Sequence, residues 1–459
     1  MFIDAPAGGQ SLVGGASYAD TLVGSTGGDT LMGGTGDSLL GGNASDLYVI
    51  SAGSTGFAIV DDNGPADTLS VGGAINLDGL TLTGIEYLIV DGAVSMTGTQ
   101  ANAFTTIYGA SGSTDDVVYL TASVSGTVGD NLSGIESLFG SADGDTLTAS
   151  NVHYVDGQGG ADSLIGSSSA DTLIGGAGDD TLVGSTGDSL VGGDNSDLYV
   201  VANGSTAFKV SDTGANGSDT LSIGGAVSSL SGADQTGIEY LIVDGDVSMM
   251  SSQAAGFTSI VGAVGSTDDV VYLVHGDRSP VGDNLSGIES LFGGDWADIL
   301  TATNVHYING LGGDDSIVGN ASTTDTLIGL DGNDTLIGQS NDILDAGANS
   351  DWVIIANGST GFSATGDGLD TLSLGGAIDL TGGETGFGYM VTDGAVSLTG
   401  TQANAFTTIY GATGSTDDVV YLTASDSVAV GGNFSGIESL FGSAGGDQLS
   451  ARSEEHTSE

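Results

Sequence analysis

Large apolar residues in this chain come singly or in very short runs, separated by glycine, aspartate, asparagine and serine. In Asp180-Thr181-Leu182-Val183 only Leu182 is placed to face inward, which suits a very short strand. Tyr87-Leu88-Ile89-Val90, Phe104-Thr105-Thr106-Ile107-Tyr108, Val117-Val118-Tyr119-Leu120 and Ser137-Leu138-Phe139 are further apolar or β-branched runs between turn signals. No long helical pattern intervenes, and no apolar run reaches the length of a membrane-spanning helix. The pattern predicts an all-β chain of many short strands.

The pattern also repeats at long range. Asp46-Leu47-Tyr48-Val49-Ile50 returns 151 residues later at Asp197 and again, as Asp351-Trp352-Val353-Ile354-Ile355, near the third quarter. Gly112-Ser113-Thr114-Asp115-Asp116-Val117-Val118-Tyr119-Leu120 returns at Gly265 and Gly414, and Gly134-Ile135-Glu136-Ser137-Leu138-Phe139 at Gly287 and Gly436. The chain is three tandem units of about 150 residues. Each unit opens with a block in which aspartate recurs about every nine residues, at 1–49, 157–200 and 310–354. Longer spacers follow at 50–156, 201–309 and 355–451. Asp-Thr-Leu reappears in the spacers at Asp67, Asp145 and Asp219, which ties spacer to block. One continuous parallel solenoid, with spacer rungs of about 25 residues, is therefore expected in preference to a separate β-sandwich per spacer.

The most regular stretch is Gly175-Gly176-Ala177-Gly178-Asp179-Asp180-Thr181-Leu182-Val183. Its glycines can turn tightly at positive φ with carbonyls bared, and a carboxylate follows at the sixth position. Carbonyl and carboxylate oxygens together make a hard-cation site, with calcium the natural occupant. The sixth-position aspartates are Asp20, Asp29, Asp37 and Asp46, then Asp162, Asp171, Asp180, Asp188 and Asp197, then Asp315, Asp325, Asp334, Asp342 and Asp351. With them go the turn glycines Gly175, Gly176, Gly178, Gly329 and Gly332. The turns before Asp37, Asp188 and Asp342 are one residue short, and others have lost glycines, so fewer ions than aspartates are expected. The turns ending at Asp180 and Asp334 match best, followed by Asp29 and Asp315.

Three basic residues against 59 acidic ones give a net charge of −56. Such a chain repels nucleic acid and anionic membranes, and it repels itself unless cations intervene. Hydrophobic residues at 39% still allow a core, and 83 glycines against 3 prolines fit solenoid turns. With no cysteine there are no disulfides or thiolate metal sites, leaving calcium as the expected staple.

These nonapeptides resemble the RTX (repeats-in-toxin) family of secreted bacterial proteins. The resemblance implies calcium-loaded parallel β-rolls in which an ion is shared between stacked turns, folding outside the cell, and export through a C-terminal signal. Met1-Phe2-Ile3-Asp4-Ala5-Pro6 carries no Sec-type leader. The chain starts inside the repeat, and Arg452-Ser453-Glu454-Glu455-His456-Thr457-Ser458-Glu459 reads as a translated sequencing adapter. A fragment of a longer secreted or surface protein is expected. Its partners would be calcium, neighbouring repeats or copies of itself, and a polysaccharide or host surface only through missing domains.

Catalysis finds no foothold. There is no His-Glu-x-x-His and no Gly-x-Ser-x-Gly, and the one lysine, Lys209, lies in no phosphate-binding loop. A uronate-processing enzyme needs recurring basic residues, whereas Lys209 and Arg278 stand alone outside the adapter. The paired aspartates beginning at Asp115, Asp268 and Asp417 read as solvated turns, with a second cation site as the alternative. Glu136, Glu289 and Glu438 are expected to satisfy backbone donors. Tyr87, Tyr119, Tyr240 and Tyr272 are expected in the core, the other reading being a polysaccharide-binding face. The function expected is a calcium-folded structural module of stalk, adhesin or surface-layer type; the alternative is the export or targeting module of a secreted hydrolase, lyase or epimerase.

Overall fold

A computed structural model of the chain describes residues 1–450 apart from 16–17, 62–63, 124–125, 215, 226–227, 231–233, 276–277, 381 and 425–428. The adapter-like octapeptide 452–459 lies outside the described residues. Nearly every element is a strand of two to six residues paired in parallel with strands one turn away. This is the parallel β-solenoid that the repeat pattern predicts. The strands are short because each offers one or two inward positions before a glycine turns the chain.

The chain divides into two compact units, residues 1–224 with 232–239 and residues 225–231 with 240–459. In the first, Leu147, Leu164, Leu182, Tyr199 and Leu221 stand in one column through successive parallel pairings. Leu138, Val155, Leu173, Leu190 and Val210 form a column in another sheet. All ten are fully buried. The second unit repeats the scheme with Leu300, Ile317, Leu336, Val353 and Leu372. A parallel sheet flanked by turns has no hairpins to close it, so these apolar columns supply the cohesion.

The spacers carry the same ladders. Leu47–Ile50 pairs with Thr68–Gly72, which pairs with Tyr87–Asp91, then Thr106–Gly109, then Leu132–Ser133. Rungs inside the blocks advance 17 residues, as from Thr181 to Leu198, or up to 19, as from Ser316 to Thr335. Rungs in the first spacer advance from 17 residues, Ser137 to Tyr154, to 25, Ile107 to Leu132. The uniform 25-residue spacer rung expected from sequence is thus a maximum.

Three six-residue helices, Gly98–Ala103, Ser251–Gly256 and Gly400–Ala405, interrupt the spacers. Thr97 caps the first by accepting from the Gln100 N–H at 3.1 Å, while Gln100 Oε1 accepts from the Thr97 N–H at 2.9 Å. Asn131, a rung later, donates to the carbonyls of Ala101 and Phe104 at the helix end. A single turn of helix is too short to leave a periodic signature in the sequence. Among the described residues no helix is long and apolar enough to cross a membrane.

Candidate metal centre

Each nonapeptide turn leaves a strand through glycine and reaches the sixth-position aspartate with the backbone reversed. In the turns before Asp162, Asp180 and Asp334 the second position takes positive φ: Gly176 adopts 116°, and where glycine is absent Gln158 and Leu330 both adopt 75°. Gly178 and Gly332 also sit at positive φ, 132° and 144°, and pass so close to the stacked turn that a Cβ would collide with the carbonyls of Gly160 and Gly313. The glycine requirement is therefore set by stacking as well as by turning.

The aspartates form ladders. The N–H of each donates to Oδ1 of the aspartate one rung further on. In the second block this chain runs Asp145, Asp162, Asp180, Asp197, Asp219 at 2.7 to 2.9 Å and ends on Glu239 Oε2. In the third it runs Asp298, Asp315, Asp334, Asp351, Asp370, and in the first Asp29, Asp46, Asp67, ending on Glu86. A second, shorter ladder joins Asp20 to Asp37, Asp171 to Asp188 and Asp325 to Asp342. His153 Nδ1 lies 2.8 Å from Asp171 Oδ1 and His306 Nδ1 lies 2.9 Å from Asp325 Oδ1, so the recurring histidines cap the lower ends of the short ladders.

The other carboxylate oxygen separates the fourteen predicted aspartates into two kinds. Oδ2 of Asp20, Asp29, Asp37, Asp171, Asp188, Asp325 and Asp342 accepts from an N–H of its own turn at 2.5 to 2.7 Å. Oδ2 of Asp46, Asp162, Asp180, Asp197, Asp315, Asp334 and Asp351 is buried with no hydrogen-bond partner among the described residues. Such an oxygen is costly unless a proton or a cation meets it. The three shortened turns fall in the first group, with the N–H three residues back on the carboxylate, and the full-length turns before Asp20, Asp171 and Asp325 join them with an N–H four or five residues back. Asp29 also falls there despite its near-regular sequence.

Six of the seven unpartnered oxygens face glycine, and Asp351 has Ala346 at that place in its turn. A Cβ on Gly157 would meet Asp162 Oδ2 and, at 2.8 Å, the carbonyl of Gly175 in the next turn. One on Gly175 would meet Asp180 Oδ2 and the Gly192 carbonyl at 2.7 Å, and Gly329 is placed likewise against Asp334 Oδ2 and the Ala346 carbonyl. Carboxylate and carbonyl oxygens from stacked turns thus border the same small space, and hard oxygen donors of this kind fit calcium. Burial is the main force raising these acids: Asp162, Asp197 and Asp351 to about 7, Asp315 to about 8, Asp180 and Asp334 to about 6.

Sequence reasoning missed several ladder members. Asp67, Asp145, Asp219, Asp298 and Asp370 continue the long ladders beyond the blocks; all are buried, and Asp67 Oδ2 is unpartnered. The repeated Asp-Thr-Leu phrase was the signal for four of them, and Asp298 stands in the variant Asp298-Ile299-Leu300. Glu136, Glu289 and Glu438 accept from the N–H of Asp116, Asp269 and Asp418, as expected of backbone acceptors. The expected solvated turns are half right: Asp115 is exposed, but Asp116, Asp269 and Asp418 are fully buried. Their Oδ1 atoms hold the N–H groups of Gly92, Gly245 and Gly394.

The tyrosines also depart from expectation. Tyr119 is 40% exposed, and Tyr87, Tyr240 and Tyr272 are half-buried. They point outward because the alternating neighbour, Val118 beside Tyr119 for instance, takes the inward position. Tyr119 stacks on Phe139 at 4.8 Å between ring centroids, Tyr272 on Phe292 at 4.9 Å, and Tyr421 on Phe441 at 5.1 Å.

A family model described as the RTX calcium-binding nonapeptide repeat, four copies long, matches residues 14–47, 156–191 and 321–353. Each match overlaps one aspartate block, and the spacers lie largely outside. No curated protein and no solved structure matches the chain.

Proposed function

The chain belongs to the RTX calcium-binding nonapeptide-repeat family, and from that premise we propose that it is a structural module of an extracellular protein that gains its order from calcium. The observation that carries this reading is the column of buried, unpartnered Oδ2 atoms in the second and third blocks, where Asp162, Asp180, Asp315 and Asp334 face the carbonyls of stacked turns. Asp162, Asp180 and Asp197, then Asp315, Asp334 and Asp351, with Asp46 in the first block, would hold the ions, and the carbonyls bordering Gly175 and Gly329 would complete the oxygen shell. Gly176, Gly178 and Gly332 would act through the backbone alone, by allowing the turns to stack. Asp20, Asp29, Asp37, Asp171, Asp188, Asp325 and Asp342 would shape turns instead of binding metal.

Calcium would neutralise adjacent carboxylates and tie one turn to the next, so binding and folding are coupled. Sites of this class on extracellular proteins work at about 10⁻⁴–10⁻³ M, above cytosolic calcium, so export would precede folding. A stalk, adhesin or surface-layer segment uses such a module, and no catalytic constellation is needed for it. The test is a calcium titration of the full chain by far-UV circular dichroism. A cooperative gain of β signal near millimolar calcium, absent with magnesium, is expected. The same spectrum in chelator and in calcium at pH 8 sinks the reading.

A further inference from the structure

Three carboxylates meet just beyond the first block. Oxygens of Asp46, Asp61 and Asp67 all lie within 4.8 Å of one another, and the corresponding residues Asp197, Asp212 and Asp219 do the same beyond the second. Asp61, Asp67, Asp212 and Asp219 lie outside the residues matched by the family model. Acidic residues gather on many surfaces, but this group is inside: Asp46 is 2% and Asp67 0% exposed, and Oδ2 of each has no partner among the described residues.

A buried tyrosine completes the group. Tyr48 donates its hydroxyl to Asp61 Oδ2 at 2.5 Å. A Cβ on Gly41 would overlap the Tyr48 hydroxyl and Asp46 Oδ2 and reach Asp61 Oδ2 at 2.6 Å, so the three oxygens converge on a bare Cα. In the second copy, Gly192 is bordered in the same way by Asp197 Oδ2 and the Tyr199 hydroxyl, which accepts from the Gly192 N–H at 2.8 Å.

The third copy removes the whole arrangement. Val353 stands for Tyr48, Gly366 for Asp61 and Ala346 for Gly41. The ladder itself persists, with the Asp351 N–H donating to Asp370 Oδ1 at 2.9 Å, and Asp370 Oδ2 now accepts from the Asp367 N–H at 2.7 Å. A backbone N–H has replaced whatever the carboxylate meets in the other two copies. Three substitutions that each undo one element of the oxygen cluster fall together, while the residues needed for the fold remain.

We propose that Asp46, Asp61 and Asp67 with the Tyr48 hydroxyl, and Asp197, Asp212 and Asp219 in the second copy, form divalent-cation sites distinct from the nonapeptide turns, one at each of the first two block–spacer seams. The donors are all oxygen and carry three negative charges, which selects a hard cation of the calcium class. Asp46 and Asp67, like Asp197 and Asp219, also belong to the ladders through Oδ1, whereas Asp61 and Asp212 do not. The site joins residues 15 to 21 positions apart, Asp46 to Asp61 and Asp46 to Asp67, and so fastens the last block rung to the first spacer rung.

The test counts ions on the full chain by equilibrium dialysis at about 1 mM free calcium. The double variant Asp61→Asn/Asp212→Asn is expected to bind about two fewer ions than the parent. The triple variant Ala346→Gly/Val353→Tyr/Gly366→Asp, which imports the cluster into the third copy, is expected to bind about one more. Circular dichroism in calcium confirms that each variant is folded before its ions are counted. An unchanged count in the folded double variant overturns the proposal, leaving the cluster a proton-bridged polar network; if that variant does not fold, an unchanged count in the triple variant overturns it. Because the readout is a difference between variants, failure of calcium-driven folding in the parent is seen separately in the titration above.

Discussion

The Asp162 N–H donates to Asp180 Oδ1 at 2.7 Å, while Oδ2 of the same carboxylate is buried without a partner among the described residues. One oxygen holds the backbone and the other presents charge where nothing in the chain answers it. A proton answers it as well as a cation does. Burial raises Asp162, Asp197 and Asp351 to about 7 and Asp315 to about 8, whereas unfolded aspartates titrate near 3.9. Groups raised on folding favour the folded state fully below their unfolded value and lose that contribution as pH climbs through the folded value. Metal-stripped protein is therefore expected to hold its β structure near pH 5 and to lose it between about pH 6 and pH 8. Circular dichroism against pH without calcium checks this; a flat profile over that range would falsify the assignment of these oxygens.

The two kinds of aspartate respond oppositely to amidation. Asp180→Asn removes a buried charge with no partner, so it is expected to raise the melting temperature of metal-free protein at pH 8 and to lower calcium affinity. Asp188 Oδ1 accepts from the Asp171 N–H and Oδ2 from the Ser185 N–H. Asp188→Asn leaves one of these donors unmet, costing about 1–3 kcal/mol with or without calcium. Thermal melts in both conditions separate the cases, and parallel behaviour of the two variants would count against the division.

Filling the turn is a separate perturbation. Gly175→Ala places a methyl against Asp180 Oδ2 and the Gly192 carbonyl. Calcium affinity is expected to fall at least tenfold, about 1.4 kcal/mol per factor of ten. Gly256→Ala, at a helix end with nothing within 4 Å, is the control, and stability should change by no more than about 1 kcal/mol. Calcium titrations that give both variants the same midpoint would show that the space beside Gly175 holds no ion.

Inward and outward positions on one strand should differ sharply. Leu138 is fully buried in its column, and Leu138→Ala is expected to cost about 2–5 kcal/mol in calcium. Its neighbour Phe139 lies outside against Tyr119, and losing that stacked pair should cost about 0.5–1.5 kcal/mol beyond its lost area. Denaturant unfolding of Leu138→Ala and Tyr119→Ala measures both; a larger loss for the tyrosine would reverse the facing assigned here.

Much of this was written in the sequence, and for a physical reason. Asp180-Thr181-Leu182 states the turn carboxylate and the inward side chain in adjacent residues, so a local motif reported both fold and site. Which aspartates keep a free oxygen was not legible, because that depends on whether an N–H three to five residues back, such as Ser25 for Asp29, can reach the carboxylate. The facing of Tyr119 was hidden too: in Val117-Val118-Tyr119-Leu120 every residue is apolar enough for the core, and only the register with the stacked strand decides. The Asp46–Asp61–Asp67 meeting depends on the wrap of a whole rung, which no nine-residue pattern contains.

The spacing of the ladders bears on how such a chain can change length. The steps from Asp29 to Asp46, Asp180 to Asp197 and Asp334 to Asp351 are all 17 residues. The next steps, into the spacer, are 21, 22 and 19 residues. Elsewhere in the blocks the step reaches 18 residues, Asp162 to Asp180, and 19, Asp315 to Asp334, so a block rung takes up one or two extra residues and the step into the spacer as many as five. Growth of the protein by duplication then has a natural quantum, the whole turn: adding one extends the columns of leucine and aspartate without asking any existing residue to move.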